Sequence, residues 1–409
     1  MTKKINWQAF GPGILMASAA IGGSHLIAST QAGALYGWQL TIFIVLANVF
    51  KYPFFRFATD YTYTSNQSLV EGYAQKGSGY LWLFFVMSFI AGMINVAAVA
   101  MLCAVILGFL LPSLTLSVQV LAGLTLLVSW AFLMVGHYQV LDKLTKWIVV
   151  LLTLTTLIAL VVAMGKPSVA APDFVPATPW NLATLGFIIA LMGWMPAPIE
   201  FSTVTSLWTV AKRRNNPEIT HRQGLLDFNV GFWMSGGLAL AFLALGVFVQ
   251  YGSGQEIKMA GGQYVGQLIG MYTQTIGDWS RTLVAFIAFM CMFGTTITAV
   301  DGYARLNAES LRLLQNRPSF SNKTLNFWLS FFSVAGLLIV LYFGSALALM
   351  LKFAMIMAFV AAPVFAWLNF ALVRQTPLPS WLRGLAWAGL VFLTGFALLF
   401  LANFFGLIV

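Results

Sequence analysis

Charge is what this chain lacks. Only 8% of its 409 residues are Asp, Glu, Lys or Arg, against about 25% in soluble domains, where charged groups keep the surface wet. Acidic residues are the scarcest, 11 Asp and Glu against 21 Lys and Arg. Cysteine is nearly absent. Cys103 and Cys291 both fall inside apolar runs, which excludes a disulfide framework or a thiolate cluster and predicts two buried small hydrophobes. These shortages rule out an ordinary cytosolic enzyme, a secreted disulfide scaffold and a nucleic-acid-binding module. What fills the chain instead is apolar: 60% of its residues are hydrophobic, and the mean hydropathy is +0.87.

A bilayer core takes about 20 apolar residues per helix. Runs of this kind occupy roughly 11–36, 38–56, 79–111, 115–135, 144–164, 183–209, 229–250, 281–303, 326–343, 346–373 and 385–408. None shows the ten-residue alternation of a membrane barrel, so the expectation is an all-α polytopic protein with about 11 crossings in one transmembrane domain over 1–409. The first run holds Gly11-Pro12-Gly13 and continues past the core of a cleavable signal.

With the N-terminus placed inside, 17 of the 21 basic residues fall on inside segments, Lys51, Arg56 and the Lys212-Arg213-Arg214 loop among them. Lys166, Lys258 and Arg281 fall outside, and Lys352 falls within the tenth run. That bias predicts a cytoplasmic N-terminus and an outside C-terminus in the cell (inner) membrane. It also explains the positive net charge through insertion, leaving lipid as the partner and no nucleic acid.

Two runs are interrupted. The first carries Gly22-Gly23-Ser24-His25, where adjacent glycines weaken the helix by about 1 kcal/mol each relative to Ala. The sixth carries Met192-Gly193-Trp194-Met195-Pro196-Ala197-Pro198, whose prolines remove amide donors and clash with the preceding turn, so a break is expected near 193–198. The interruptions are five runs apart, the spacing of inverted five-helix repeats. Repeat one then covers about 11–164, repeat two about 183–373, and an extra helix about 385–408. Paired broken helices point to a transporter's midplane site, built from freed carbonyls and amides.

Gly11-Pro12-Gly13, Gln31-Ala32-Gly33, Leu46-Ala47-Asn48 and Met195-Pro196 resemble motifs of the NRAMP (natural resistance-associated macrophage protein) transporters. The resemblance extends as a span pattern over nearly the whole chain. It implies a LeuT-type fold, import of divalent transition metals, often with protons, and a site at the breaks of helices one and six. Departures from the family pattern are sharp. In the first-helix Asp-Pro-Gly-Asn motif, Gly22 stands for the Asp, Gly23 for the Pro, Ser24 for the Gly and His25 for the Asn. Ala197 replaces the His of Met-Pro-His, the third span has Asn95 where proton-coupled members carry acids, and Lys352 aligns with a family Gln.

The expected substrate-binding residues are Gly22, Gly23, Ser24, His25, Met192, Met195, Pro196, Ala197 and Lys352, with His25 and Met195 as metal ligands. Imidazole and thioether suit transition metals better than Mg or Ca. Glu200, Asn95 and Asp301 are candidates for a charge or proton relay, Asp301 also being placed to pair with Arg305 at i+4. Lys352 has three open roles: a partner for Glu200, a stand-in for a coupling cation, or a contact for an anionic solute. His137 and His221 read as solvated loop residues. No acid/base pair, nucleophile triad or phosphate loop is present, so no enzyme is expected, and no cofactor beyond a metal ion as transported substrate.

The function expected is therefore a secondary transporter of a divalent cation of the Mn or Fe type, with weakened or no proton coupling. Two alternatives stay open: a LeuT-type carrier of a small organic or anionic solute in which Lys352 replaces a cation, and a non-transporting sensor.

Overall fold

The computed structural model describes residues 10–113, 115–136, 138–258, 261–344 and 346–408, and the side chains of these except 138–146 and 261. His137, Lys3 and Lys4 lie outside the described residues, as do the side chains of Lys143 and Lys146.

The first crossing starts as α1 (Pro12–Ala20), breaks, resumes as a π-helical turn over Ser24–Ser29 and ends as α2 (Thr30–Tyr36). Next come α3 (Thr41–Ser65), a short α4 (Leu69–Lys76), α5 (Ser78–Leu110), α6 (Val118–Val135) and α7 (Tyr138–Met164). The sixth crossing is split into α8 (Leu182–Gly193) and α9 (Phe201–Asn215). The remainder is α10 (His221–Gln250), α11 (Gly261–Ile276), α12 (Ser280–Leu314), α13 (Asn322–Phe343), α14 (Leu347–Val373) and α15 (Ser380–Phe404).

Among the described residues, nine stretches are long and apolar enough to cross a bilayer. One of them, Ser24–Ser65, joins the second half of the first crossing to the whole of the second, and the sixth crossing consists of two shorter helices. The chain is an all-helical, multi-pass integral membrane protein.

Most helix ends fall within a few residues of the expected runs; α10 starts well before 229, at His221, and two other extensions are consequential. α3 runs on to Ser65 and α12 to Leu314. Both extensions are amphipathic rather than apolar, so hydropathy alone stops short of them. As a result Lys51, expected at a cytoplasmic end, lies mid-helix and fully buried. α4 and α11 were not expected. α4 nevertheless carries a readable start signal: Ser68 and Glu71 form a capping box in which each side chain takes the other's backbone amide.

Close crossings hold the broken first helix in place. A Cβ on Gly13 would lie 2.2 Å from the Asp227 carbonyl oxygen, and one on Gly231 would lie 2.0 Å from the Gly13 carbonyl oxygen. The α1 and α10 backbones therefore touch, as small residues allow in membranes. The Asp227 carboxylate accepts hydrogen bonds from the Gly11 amide at 3.1 Å and the Gly13 amide at 2.7 Å. These are donors that the start of α1 leaves free, and the negative charge suits that helix end.

Candidate functional site

The two breaks face each other. α1 ends at Ala20, and Gly22 and Gly23 pass in irregular backbone to the π-helical turn. α8 ends at Gly193, and residues 194–200 run non-helically to α9, with a cis peptide between Met195 and Pro196. Between them lies a cavity of about 40 Å³. Gly22 and Gly23 line one side, Trp194, Ala197 and Pro198 the other, and Asn95, Thr295 and Tyr303 close it from α5 and α12. The Trp194 ring spans the gap: a Cβ on Gly23 would come within 3.1 Å of it.

The carbonyls loosened by the first break are taken up by neighbouring side chains. The Cys291 thiol donates to the Ile21 carbonyl at 3.2 Å, and Ser29 Oγ donates to the Ser24 carbonyl at 2.9 Å. Tyr264, on α11, donates to the Leu26 carbonyl at 2.8 Å. Unpaired carbonyls cost several kcal/mol away from water, and these bonds let the unwound segment persist inside the bundle. Cys103 and Cys291 are both free and buried, as the sequence led us to expect.

One polar cluster borders the cavity. Tyr303 donates its hydroxyl to Glu200 Oε1 at 3.0 Å and accepts from Asn95 Nδ2 at 2.6 Å, while Asn95 Nδ2 also points to Glu200 Oε1 at 3.4 Å. With Glu200 Oε1 and Tyr303 so engaged, Glu200 Oε2 and Asn95 Oδ1 are buried acceptors without hydrogen-bond partners, and Trp194 Nε1 is a buried donor without one. Buried polar atoms normally have partners. Asn95 and Trp194 stand in the cavity wall and Glu200 lies behind it, so a cation carrying a water or two could use the free acceptor of Asn95 and the nearby carboxylate.

Of the residues expected to bind substrate, the structure brings Gly22, Gly23 and Ala197 into the cavity wall. His25 and Ser24 turn away from it. His25 Nε2 lies 3.1 Å from both the carbonyl and the hydroxyl of Ser235 on α10, and Nδ1 lies 3.0 Å from Ser24 Oγ. Both ring nitrogens are thus engaged in holding the unwound segment to α10. Met192, Met195 and Pro196 are buried in the packing and outside the cavity wall. The thioether that does reach the first break belongs to Met292, whose Sδ would lie 3.7 Å from a Cβ on Gly22.

Among the described residues there is no cluster of three His, Cys, Asp or Glu side chains. Asn95 and Glu200, singled out as relay candidates, meet through Tyr303. Asp301 instead holds Arg305, with both carboxylate oxygens 2.8 Å from Nε. His221 pairs with Asp60 at 2.8 Å on the surface.

Lys352 does not reach Glu200. It is exposed on α14 and lines a separate vestibule of about 260 Å³ with Gln31 and Tyr264. It forms no ion pair among the described residues. The lysine that reaches the second break, outside the cavity wall, is Lys51. Its Nζ donates to the Met192 and Gly193 carbonyls, each at 2.7 Å, and lies 3.5 Å from the Ala197 carbonyl. Sequence reading missed Lys51 because it was placed at a helix end. The available signal was its setting, Val49-Phe50-Lys51-Tyr52-Pro53-Phe54-Phe55, which leaves a charge no water to face.

The comparisons with known proteins agree with this architecture. An uncharacterized protein of Pasteurella multocida (strain Pm70) is 53% identical over 98% of this chain and 94% of its own length. A mutant of the Eremococcus coleocola manganese transporter superposes with a TM-score of 0.72 at 15% identity, covering 99% of this chain and 90% of that one. Mhp1, a nucleobase-cation-symport-1 family transporter solved in a closed conformation with bromovinylhydantoin bound, superposes with a TM-score of 0.60 at 14% identity, over 92% of this chain and 81% of its own. These structures share the LeuT-type fold. The family profile described as natural resistance-associated macrophage protein-like matches residues 13–403, and the chain belongs to that family.

Proposed function

We propose that this protein is a secondary transporter that carries a divalent metal cation through the cell membrane by alternating access, with its N-terminus in the cytoplasm. The observation that carries this reading is the size and lining of the cavity between the two breaks. At about 40 Å³ it holds a small ion and a water or two, each water needing about 10–15 Å³ of such volume. Pockets for organic ligands run to about 300–1,000 Å³.

Wider vestibules lie at opposite ends of the bundle. One, of about 350 Å³, is bordered by Glu71, Arg214, Arg305 and Glu309, and the other, of about 260 Å³, by Gln31, Tyr264 and Lys352. A small central chamber between two larger openings suits a carrier that rocks one bundle against the other. The Mn-type choice of ion follows the manganese transporter among the structural neighbours and the oxygen-rich Asn95, Tyr303 and Glu200 cluster.

Binding should be weaker than in a site with a carboxylate in its wall, because a dication needs negative charge or many oxygen donors to offset dehydration. Here Glu200 supplies that charge from behind Asn95 and Tyr303. Asn95 holds the third-helix position without an acid, so we infer that metal moves with little or no proton flux.

Purified protein in proteoliposomes tests this. Uptake of Mn²⁺ or Fe²⁺ driven by the ion's own gradient, without lumenal acidification, supports the reading. No flux of Mn²⁺, Fe²⁺, Co²⁺ or Mg²⁺ from folded protein would refute it and favour the sensor. A second reading, a small organic anion in the vestibule at Lys352, rests on the exposure of that ammonium. Solute uptake abolished by Lys352→Gln would select it.

A further inference from the structure

The buried ammonium of Lys51 has no part in the cavity just described, yet it sits at the second break. We propose that Lys51 is a tethered cation: it occupies a carbonyl cradle at the broken end of helix six that would otherwise bind a soluble monovalent cation.

The last carbonyls of a helix have no partner within it, and the helix dipole places negative potential there. At the end of α8 these are the carbonyls of Met192, which also accepts from the Met195 amide at 3.3 Å, and Gly193, and Ala197 adds a third from the unwound stretch. Lys51 Nζ meets them at 2.7, 2.7 and 3.5 Å. An ammonium has three donors and no acceptor, and here two short bonds and one long contact give each donor an oxygen. Unwound carbonyls and half-helix C-terminal ends are the groups that coordinate coupling ions in carriers with broken helices. Here the cation arrives on a four-carbon stem from α3.

Backbone carbonyls are the hydrogen-bond partners of the ammonium among the described residues. Lys51 is fully buried. It forms no ion pair with Glu200 at the start of α9. On the α14 side its neighbour is the Phe359 ring, 6.0 Å away. That helix also pins the cradle, since a Cβ on Gly193 would lie 1.9 Å from the Met355 carbonyl oxygen. Removing the side chain beyond Cβ leaves the three oxygens facing the space vacated by the ammonium and its three nearest methylenes.

The experiment is Lys51→Ala, expressed, extracted and melted in parallel in choline, Na⁺, K⁺ and methylammonium chloride at one ionic strength. Choline is too large for the cradle. The variant is expected to be recovered, or to gain at least ~3 °C in Tm, only with one of the small cations, in a concentration-dependent manner as mass action requires. Wild type should melt at one temperature in all four salts. Lys51→Met, which fills the space without charge, should be less stable than wild type and unresponsive to every salt.

Equal behaviour of Lys51→Ala in choline and in the small cations, whether folded in all or in none, overturns the proposal. So does a wild type stabilised by Na⁺ or K⁺ as strongly as the variant. The readout is stability and not flux, so it stands or falls separately from the transport reading.

Discussion

The position most open to a constructive test is Gly22, where a carboxylate can be added. A Cβ there would meet Thr295 Cγ2 at 3.6 Å and Met292 Sδ at 3.7 Å, ordinary contacts that require nothing to move. Gly22→Asp therefore places an acid at the wall of a 40 Å³ cavity with room for its Cβ. At about 4 Å and an effective dielectric near 20, a carboxylate attracts a dication by about 8 kcal/mol. Desolvating the two groups takes back several kcal/mol. A net gain of roughly 1.5–3 kcal/mol remains, or about 10- to 100-fold in Kd.

Without metal, the same carboxylate is a buried charge lacking a partner, so the apo variant should melt lower than wild type and Mn²⁺ should restore it. Calorimetric titration with Mn²⁺, alongside melts with and without the ion, measures both effects. Unchanged or weaker Mn²⁺ binding in a folded Gly22→Asp protein would refute the placement of the ion between the two breaks.

Other expectations follow from the same geometry. Glu200→Gln removes the carboxylate nearest the cavity and should reduce Mn²⁺ uptake at least ~10-fold, the equivalent of about 1.4 kcal/mol, with little change in helicity by circular dichroism. Tyr303→Phe leaves Glu200 Oε1 and Asn95 Nδ2 with only their 3.4 Å contact to each other, and should cost about 1–3 kcal/mol of stability, read as a lower Tm. His25→Ala should also lower Tm, because it unfastens the first break from Ser235, while leaving Mn²⁺ affinity within about threefold, or 0.7 kcal/mol. Asp227→Asn weakens the clamp on the amides of Gly11 and Gly13. It should raise the alkylation rate of a cysteine introduced at Ala19, measured from the α1 side in membranes.

Much of the fold was legible because a bilayer makes hydropathy a direct readout of burial. Gly22-Gly23 and Pro196-Ala197-Pro198 announced the broken helices for local reasons, glycine's conformational freedom and proline's missing donor, and local reasons transfer from sequence to structure. What hydropathy could not reveal was direction.

His25 and Met195 are where they were expected along the chain, but one turns to Ser235 on α10 and the other packs in the interior, and the side a residue takes at an irregular break has no sequence period to announce it. Lys352 and Lys51 were effectively exchanged. The first lies in an apolar run but opens on a vestibule, while the second lies near the expected end of a run but is enclosed because α3 continues for several more turns. Met292 and Asp227 act across contacts distant in sequence, which only the packed bundle brings together.

The central claim is that a metal ion occupies the chamber between the two breaks. Anomalous diffraction from crystals grown with Mn²⁺ tests it most directly. The account predicts one strong peak between Gly22–Gly23 and Trp194–Pro198, within coordinating or water-bridged reach of Asn95 Oδ1. A peak confined to the vestibule beside Lys352, or no peak at concentrations that saturate the binding isotherm, would contradict it.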